Sequence, residues 1–188
     1  MTTIYFIRHA EPDLSQKDEL HRPLTPKGKA DSIRLSEFFG SKDVDFVYSS
    51  PFRRAVETVK PLAEKFSKTI YLERDFRERK IADAWIDDYE DFLEHQWTDF
   101  LYHRREGECL ETVKARSVAA TNMLLIKHMN KNIVVGTHEN ALGTVIKHYT
   151  DRFGFDEINR VRTLRPWIVE FKFNGIECVD LADYCLDA

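Results

Sequence analysis

Ile4-Tyr5-Phe6-Ile7-Arg8-His9 is a short apolar run, rich in aromatic and β-branched residues, that stops on a cation and an imidazole. The pattern predicts a buried strand that delivers two polar side chains to a sheet edge. In open α/β sheets ligands bind in the crevice outside the carboxyl ends of the strands, which makes Arg8 and His9 the first candidates for chemistry. Alone, the pair also fits an ordinary strand terminus, with Arg8 in an ion pair and His9 a satisfied surface histidine. Repetition of the pattern favours the functional reading. Phe46-Val47-Tyr48 runs into Ser49-Ser50-Pro51-Phe52-Arg53-Arg54, and Asn132-Ile133-Val134-Val135-Gly136 runs into Thr137-His138. A further run, Ile70-Tyr71-Leu72, is followed by Glu73 and Glu78. Two imidazoles, two or three guanidiniums and a carboxylate are expected to converge on one edge.

The segments between these strands carry helical signals. Thr25-Pro26 reads as a cap followed by a first-turn proline, opening a helix to about Phe39. Ser50-Pro51 repeats that signal ahead of Phe52, Ala55, Val56, Val59, Leu62, Ala63 and Phe66, spaced for one helix face. Pro61 inside this pattern predicts a kink or an early end. Residues 81–106 combine Trp85, Tyr89, Phe92, Trp97, Phe100 and Tyr102 with many acids and read as one or two helices, either a satellite cluster on the body or a cap over the site. A long helix is expected over 108–129 and another over 141–149. The tail, Trp167-Ile168-Val169-Glu170-Phe171-Lys172-Phe173, then Asn174-Gly175, then residues 176–181, has the signature of a hairpin with a type I′ turn. Alternating strands and helices predict right-handed βαβ units: a three-layer α/β/α sandwich with a mostly parallel sheet and an antiparallel edge.

At 188 residues the chain fits one domain, residues 1–188, with the acidic, aromatic segment 81–106 inserted. Hydrophobic residues make up 43% and charged ones 32%, a globular composition. No apolar run approaches the ~20 residues of a membrane span, and the start lacks a signal peptide's features, so a cytoplasmic protein is expected. Cys109, Cys178 and Cys185 are scattered, without zinc or redox spacing, and read as free thiols. The net charge of −4 offers no basic field for nucleic acid or an anionic membrane. Residues 73–111 hold 13 acidic and 6 basic side chains, an acidic segment within a mildly basic body.

Histidines among guanidiniums suit a phosphoryl group better than an acyl or glycosyl one, because guanidinium matches phosphate geometry and stays charged. Neutral imidazole is a competent nucleophile, and a phospho-enzyme divides one hard transfer into two easier ones. His9 attacks in this reading, while Arg8, Arg54 and His138 hold the oxygens and a helix N-terminus near Pro51 adds donors. A nearby carboxylic acid serves the leaving group and then water. The residues alone leave Arg53 against Arg54, and Glu73 against Glu78, open.

Four ordered blocks resemble the histidine phosphatase superfamily, in the branch that includes cofactor-dependent phosphoglycerate mutase: Phe6-Ile7-Arg8-His9-Ala10-Glu11, Leu24-Thr25-Pro26-Lys27-Gly28, Ser49-Ser50-Pro51-Phe52-Arg53-Arg54-Ala55 and Val135-Gly136-Thr137-His138. Gly107-Glu108 ahead of Arg116 looks like a weaker fifth. The resemblance implies that His9 is phosphorylated, that Arg8, Arg54 and His138 bind the phosphoryl group, that Glu78 is the acid, and that no metal or other cofactor is needed. Ala10 and Glu139 stand where glycine usually follows each histidine, and Cys109 replaces a serine. The implied activity is a phosphomonoesterase acting on a small phosphorylated metabolite or a phosphopeptide. A mutase is the first alternative, although the family's mutases are longer and carry a larger insertion. A non-catalytic phospho-ligand module is a second. A metalloenzyme built on His9 and His138 lacks the ligand spacing.

Overall fold

The computed structural model describes residues 1–151 and 153–186. Strand β1 is Thr2–Arg8, and every second side chain of its apolar run points to the same face. Ile4 and Phe6 enter one core and Tyr5 and Ile7 another. A strand apolar on both faces must be covered on both, and helices do this. On the first face Ile4, Phe6, Ile133, Val135 and Val169 pack under α4 (Leu110–Lys127) and α5 (Glu139–Tyr149). On the second, Tyr5, Ile7, Val47, Val134 and Ile168 meet Leu35 of α1 (Pro26–Phe38) and Val59 and Leu62 of α2 (Arg53–Lys65). Full burial of one such side chain contributes about 1.5–3 kcal/mol.

The six-stranded sheet has the order β3-β2-β4-β1-β5-β6, with β2 at Phe46–Ser49, β3 at Ile70–Leu72, β4 at Asn132–Thr137, β5 at Trp167–Asn174 and β6 at Glu177–Cys185. The four strands β1 to β4 run parallel, and β5 and β6 are antiparallel. The expected three-layer α/β sandwich with a C-terminal hairpin is therefore present. Two further helices complete it: α3 (Tyr89–Thr98) within the acidic segment, and α6 (Phe155–Val161), which the sequence reading lacked.

Local signals were read with mixed success. Thr25 caps α1 as expected, accepting from Gly28 N at 3.0 Å, with Pro26 in the first turn. Gly28 is required by close approach, since a Cβ there would lie 2.3 Å from the Glu11 carbonyl oxygen. Ser50-Pro51, by contrast, does not open α2. The helix begins at Arg53 with Phe52 as its N-cap, and the Ser50 hydroxyl meets His138 Nε2 at 2.8 Å and accepts from Phe52 N at 3.3 Å. An early end at Pro61 does not occur either, since α2 runs on through it to Lys65. The hairpin turn lies one residue later than read. Asn174 pairs with Glu177, leaving Gly175-Ile176 as the loop, with positive φ at Gly175 (63°) and not at Ile176. That is the sign pattern of a type II′ turn, with glycine first, where a type I′ turn was expected.

Candidate active site

The parallel register brings the carboxyl ends of three strands together. Arg8 is level with Thr137, so His9 and His138 emerge side by side from β1 and β4, with ring centroids 5.3 Å apart. Ser49 of β2 is level with Gly136, which sets the Ser50 hydroxyl 2.8 Å from His138 Nε2. His9 opens onto a cleft of about 1290 Å³, lined also by Arg8, Arg54, Glu78 and Glu139. His138 is fully buried behind it and is not among the lining residues.

Hydrogen bonding assigns the state of His9. Its Nδ1 lies 2.8 Å from the Ala10 carbonyl oxygen, which can only accept, so Nδ1 carries the proton. Nε2 keeps its lone pair and accepts from Arg54 Nε at 3.2 Å. Burial, then the charges of Arg54 and Arg8, hold the His9 imidazolium well below the usual histidine range. His138 is depressed for the same first reason, with Arg54 and His9 adding to it. Both rings are neutral bases. The expected disturbance from Ala10 is small, since its side chain is buried and its N–H donates to Thr58 Oγ1 at 2.9 Å.

These depressed imidazoles make a prediction about stability. An unfolded histidine titrates near 6.5, so below that pH the unfolded chain binds more protons than the folded one. The stability is present in full above about pH 6.5 and is lost as pH falls toward the folded values, at up to about 1.4 kcal/mol per pH unit for each ring. Urea unfolding at pH 7.5 and 5.5 should show His138→Gln with a clearly weaker pH dependence than wild type. Glu139, whose raised carboxyl works in the opposite sense, is common to both proteins. An unchanged dependence contradicts the assignment.

The guanidiniums separate cleanly. Arg54 is buried against His9 and clamped by Glu19, through its carbonyl oxygen at 2.7 Å and its carboxylate at 2.9 Å. Arg53, one residue earlier on α2, turns outward to Glu57 at 2.7 Å. Arg8 is 1% exposed and donates through Nη1 to the carbonyl oxygens of Val161 (2.8 Å), Arg162 (3.0 Å) and Leu164 (3.2 Å), and through Nη2 to Glu139. Burial pushes this guanidinium down to about 10, while Glu139 opposes the shift. Burial also raises the Glu139 carboxyl, Arg8 opposes that, and Glu78 adds to it. Glu139 thus pairs with Arg8 and leaves Arg8 Nε without a partner.

The two acids separate as well. Glu73 caps its own turn, accepting from Asp75 N at 3.2 Å, and is not among the cleft residues. Glu78 lies in the cleft, its Oε2 accepting from Asn140 N (3.1 Å) and Nδ2 (3.3 Å) and its Oε1 from Arg79 N (2.9 Å). Asn140 in turn accepts from Trp97 Nε1 at 2.9 Å, which ties α3 to this carboxylate. Arg116 of α4 supports the loop beneath, donating to the carbonyl oxygens of Asp75 (2.7 Å) and Arg77 (2.9 Å) and pairing with Glu108 (3.1 Å). The Gly107-Glu108 block therefore positions the Glu78 loop. Residues 81–87 and Tyr89 line the cleft mouth, while Leu93 and Trp97 of α3 join the core. Among the described residues no group of His, Cys, Asp and Glu is placed to hold a metal ion, and no helix is long and apolar enough to cross a membrane.

Fold and site together define an α/β domain in which a neutral histidine at a strand end lines one cleft with arginines and a carboxylate. Residues 4–183 match the model of the histidine phosphatase superfamily (branch 1), and the chain belongs to that family. Over 87 residues it is 30% identical to a Hydrogenobacter thermophilus protein named "Putative phosphoserine phosphatase 2", a match that covers 44% of this chain and 43% of that relative. YhfR of Bacillus stearothermophilus superposes with a TM-score of 0.78 at 22% identity, covering 95% of this chain and 94% of the other. A phosphoserine phosphatase of Entamoeba histolytica, solved in complex with 3-phosphoglyceric acid, superposes at 0.77 with 20% identity, covering 100% and 98%. These two solved structures show the fold. The family and its phosphatase-named members support phosphatase activity.

Proposed function

We propose that the protein is a metal-independent phosphomonoesterase that hydrolyses a small phosphorylated metabolite through a phosphohistidine on His9. The carrying observation is the His9 Nε2 lone pair held 3.2 Å from Arg54 Nε at the head of a cleft that Glu78 also lines. In the first step Nε2 attacks phosphorus, the P–O bond to the leaving group breaks, and the protonated Glu78 carboxyl gives its proton to the departing oxygen. In the second, Glu78 takes a proton from water, the hydroxide oxygen bonds to phosphorus, and the P–N bond breaks to release inorganic phosphate and neutral His9. Arg54 and Arg8 Nε offset charge on the transferring oxygens, the electrostatic role that dominates phosphoryl transfer, and neutral His138 contributes at most a hydrogen bond from behind the cleft. The cleft of about 1290 Å³ has ample room for a small ester, and the small size is supported by a structural neighbour solved in complex with 3-phosphoglyceric acid.

A panel of phosphate monoesters with inorganic phosphate as the readout tests this reading. Turnover should persist unchanged in EDTA, and vanadate, which adopts a trigonal-bipyramidal geometry, should inhibit competitively. Activity lost in chelator and restored by a divalent metal overturns the metal-free mechanism. Phosphate passed to a second hydroxyl, with none released to water, makes the protein a mutase. Tight binding of esters with no turnover makes it a non-catalytic module.

A further inference from the structure

The contacts that immobilise Arg8 bring another arginine to the cleft. Arg8 Nη1 gathers the carbonyl oxygens of Val161, Arg162 and Leu164, holding the segment after α6 against the end of β1. Arg162 ties the same segment to the acidic insertion through Glu90 at 2.6 Å. Arg165, the residue after Leu164, is half-buried and lines the cleft. Its Nε is buried without a hydrogen-bond partner, and among the described residues its guanidinium has no ion pair. The other arginines around the cleft are committed: Arg8 to Glu139, Arg22 and Arg54 to Glu19, Arg77 to Glu108, Arg79 to Gln96, Arg162 to Glu90. Arg74, which also lines the cleft, has no ion pair among the described residues but is exposed to solvent. A buried guanidinium N–H with no acceptor is unfavourable until an acceptor meets it, and an anion in the cleft is one.

Sheet order says which anion. Across the sheet β1 lies between β4 and β5, and Arg8 pairs with Thr137 on one side and Trp167 on the other. His138 and Ser50 approach His9 from the β4 and β2 side, and so does Arg54, whose helix packs on those strands. Arg165, two residues before Trp167, approaches from the β5 side. A phosphoryl group gripped by His9, Arg54 and His138 leaves Arg165 facing the rest of the substrate. Arg8 and Glu139 neutralise each other there, so Arg165 supplies one uncompensated positive charge. A planar guanidinium pairs bidentately with a carboxylate, and the adjacent Glu139 disfavours a second dianionic phosphate. We propose that Arg165 binds a carboxylate of the substrate, so that the cleft selects phosphate monoesters of small carboxylic acids over esters lacking that group.

The inference rests on the phosphate-ester reading of the cleft, and its test separates the two. Steady-state kinetics of wild type and Arg165→Met are compared on 3-phosphoglycerate and on glycerol 3-phosphate, which has a hydroxymethyl group in place of the carboxylate. Binding of both esters to the His9→Ala protein, with and without Arg165→Met, is measured by calorimetry. Arg165→Met should lower kcat/KM on 3-phosphoglycerate by roughly 10- to 100-fold, mainly through KM, with a loss on glycerol 3-phosphate at least several-fold smaller. The binding preference for 3-phosphoglycerate should shrink in the same proportion. Equal losses on both esters place Arg165 on the phosphoryl group and overturn the proposal, as does a wild type that fails to prefer the carboxylate in binding. A preserved, Arg165-dependent binding preference without any turnover leaves this inference standing and sinks the catalytic reading alone.

Discussion

His9→Ala should lower turnover of any phosphate monoester the protein accepts by at least on the order of 10⁴-fold, the scale on which removal of a covalent nucleophile acts. The size of the effect follows from the absence of a substitute. His138 is the nearest other imidazole, but it lies buried behind the cleft with Nε2 engaged by Ser50. The fold should survive, because His9 belongs to neither hydrophobic core cluster and its ring makes only two hydrogen bonds, to the neighbouring Ala10 carbonyl and to Arg54 of α2. Retained binding of the ester by the variant distinguishes a chemical defect from an unfolded site. Substantial residual turnover contradicts the nucleophile assignment.

Glu78→Gln should produce a defect that depends on the leaving group. General acid catalysis by a positioned side chain is typically worth ~10²–10⁴-fold and matters most when the departing oxygen is a poor leaving group. Phosphorylation by an alkyl phosphate should therefore slow within that range, and phosphorylation by p-nitrophenyl phosphate clearly less. The glutamine keeps one acceptor oxygen where the carboxylate has two, Oε2 for Asn140 and Oε1 for the Arg79 N–H, so one of these contacts is lost and retained ester binding is the control for loop placement. Because the same carboxylate is assigned to water activation in the second step, burst or single-turnover data are needed. Equal first-step defects on both substrates remove Glu78 as the acid, and Glu139 becomes the next candidate in the cleft.

The sheet was legible because a buried strand leaves a local signature, a short continuous apolar run that stops on polar residues, and β1 and β4 both have it. Their adjacency, which sets His9 beside His138, follows from parallel pairing. The choice of Arg54 over Arg53 was not legible in the residues alone and came only from the family resemblance, since adjacent residues on a helix differ by ~100° in direction and only the phase of α2 against β1 decides which meets His9. Glu78 was equally hidden, because its loop follows no periodicity and is held from a distance by Arg116, Asn140 and Trp97. Ser50 was misread as a helix cap because a hydroxyl before proline gives that signal whether it meets a backbone N–H or an imidazole. Arg165 was missed altogether. It follows a seven-residue helix too short for a reliable pattern, and its placement depends on Arg8, more than 150 residues earlier in the chain.

The most direct measurement is acid-quench-free trapping of the intermediate: wild-type protein is mixed with a radiolabelled phosphate monoester, denatured in base within one turnover, digested, and the labelled peptide sequenced. The account predicts about one label per active chain on the peptide containing His9, stable in base and released by acid, as a phosphoramidate is. Turnover with no label during the burst, an acid-stable label, or a label on any other peptide contradicts it.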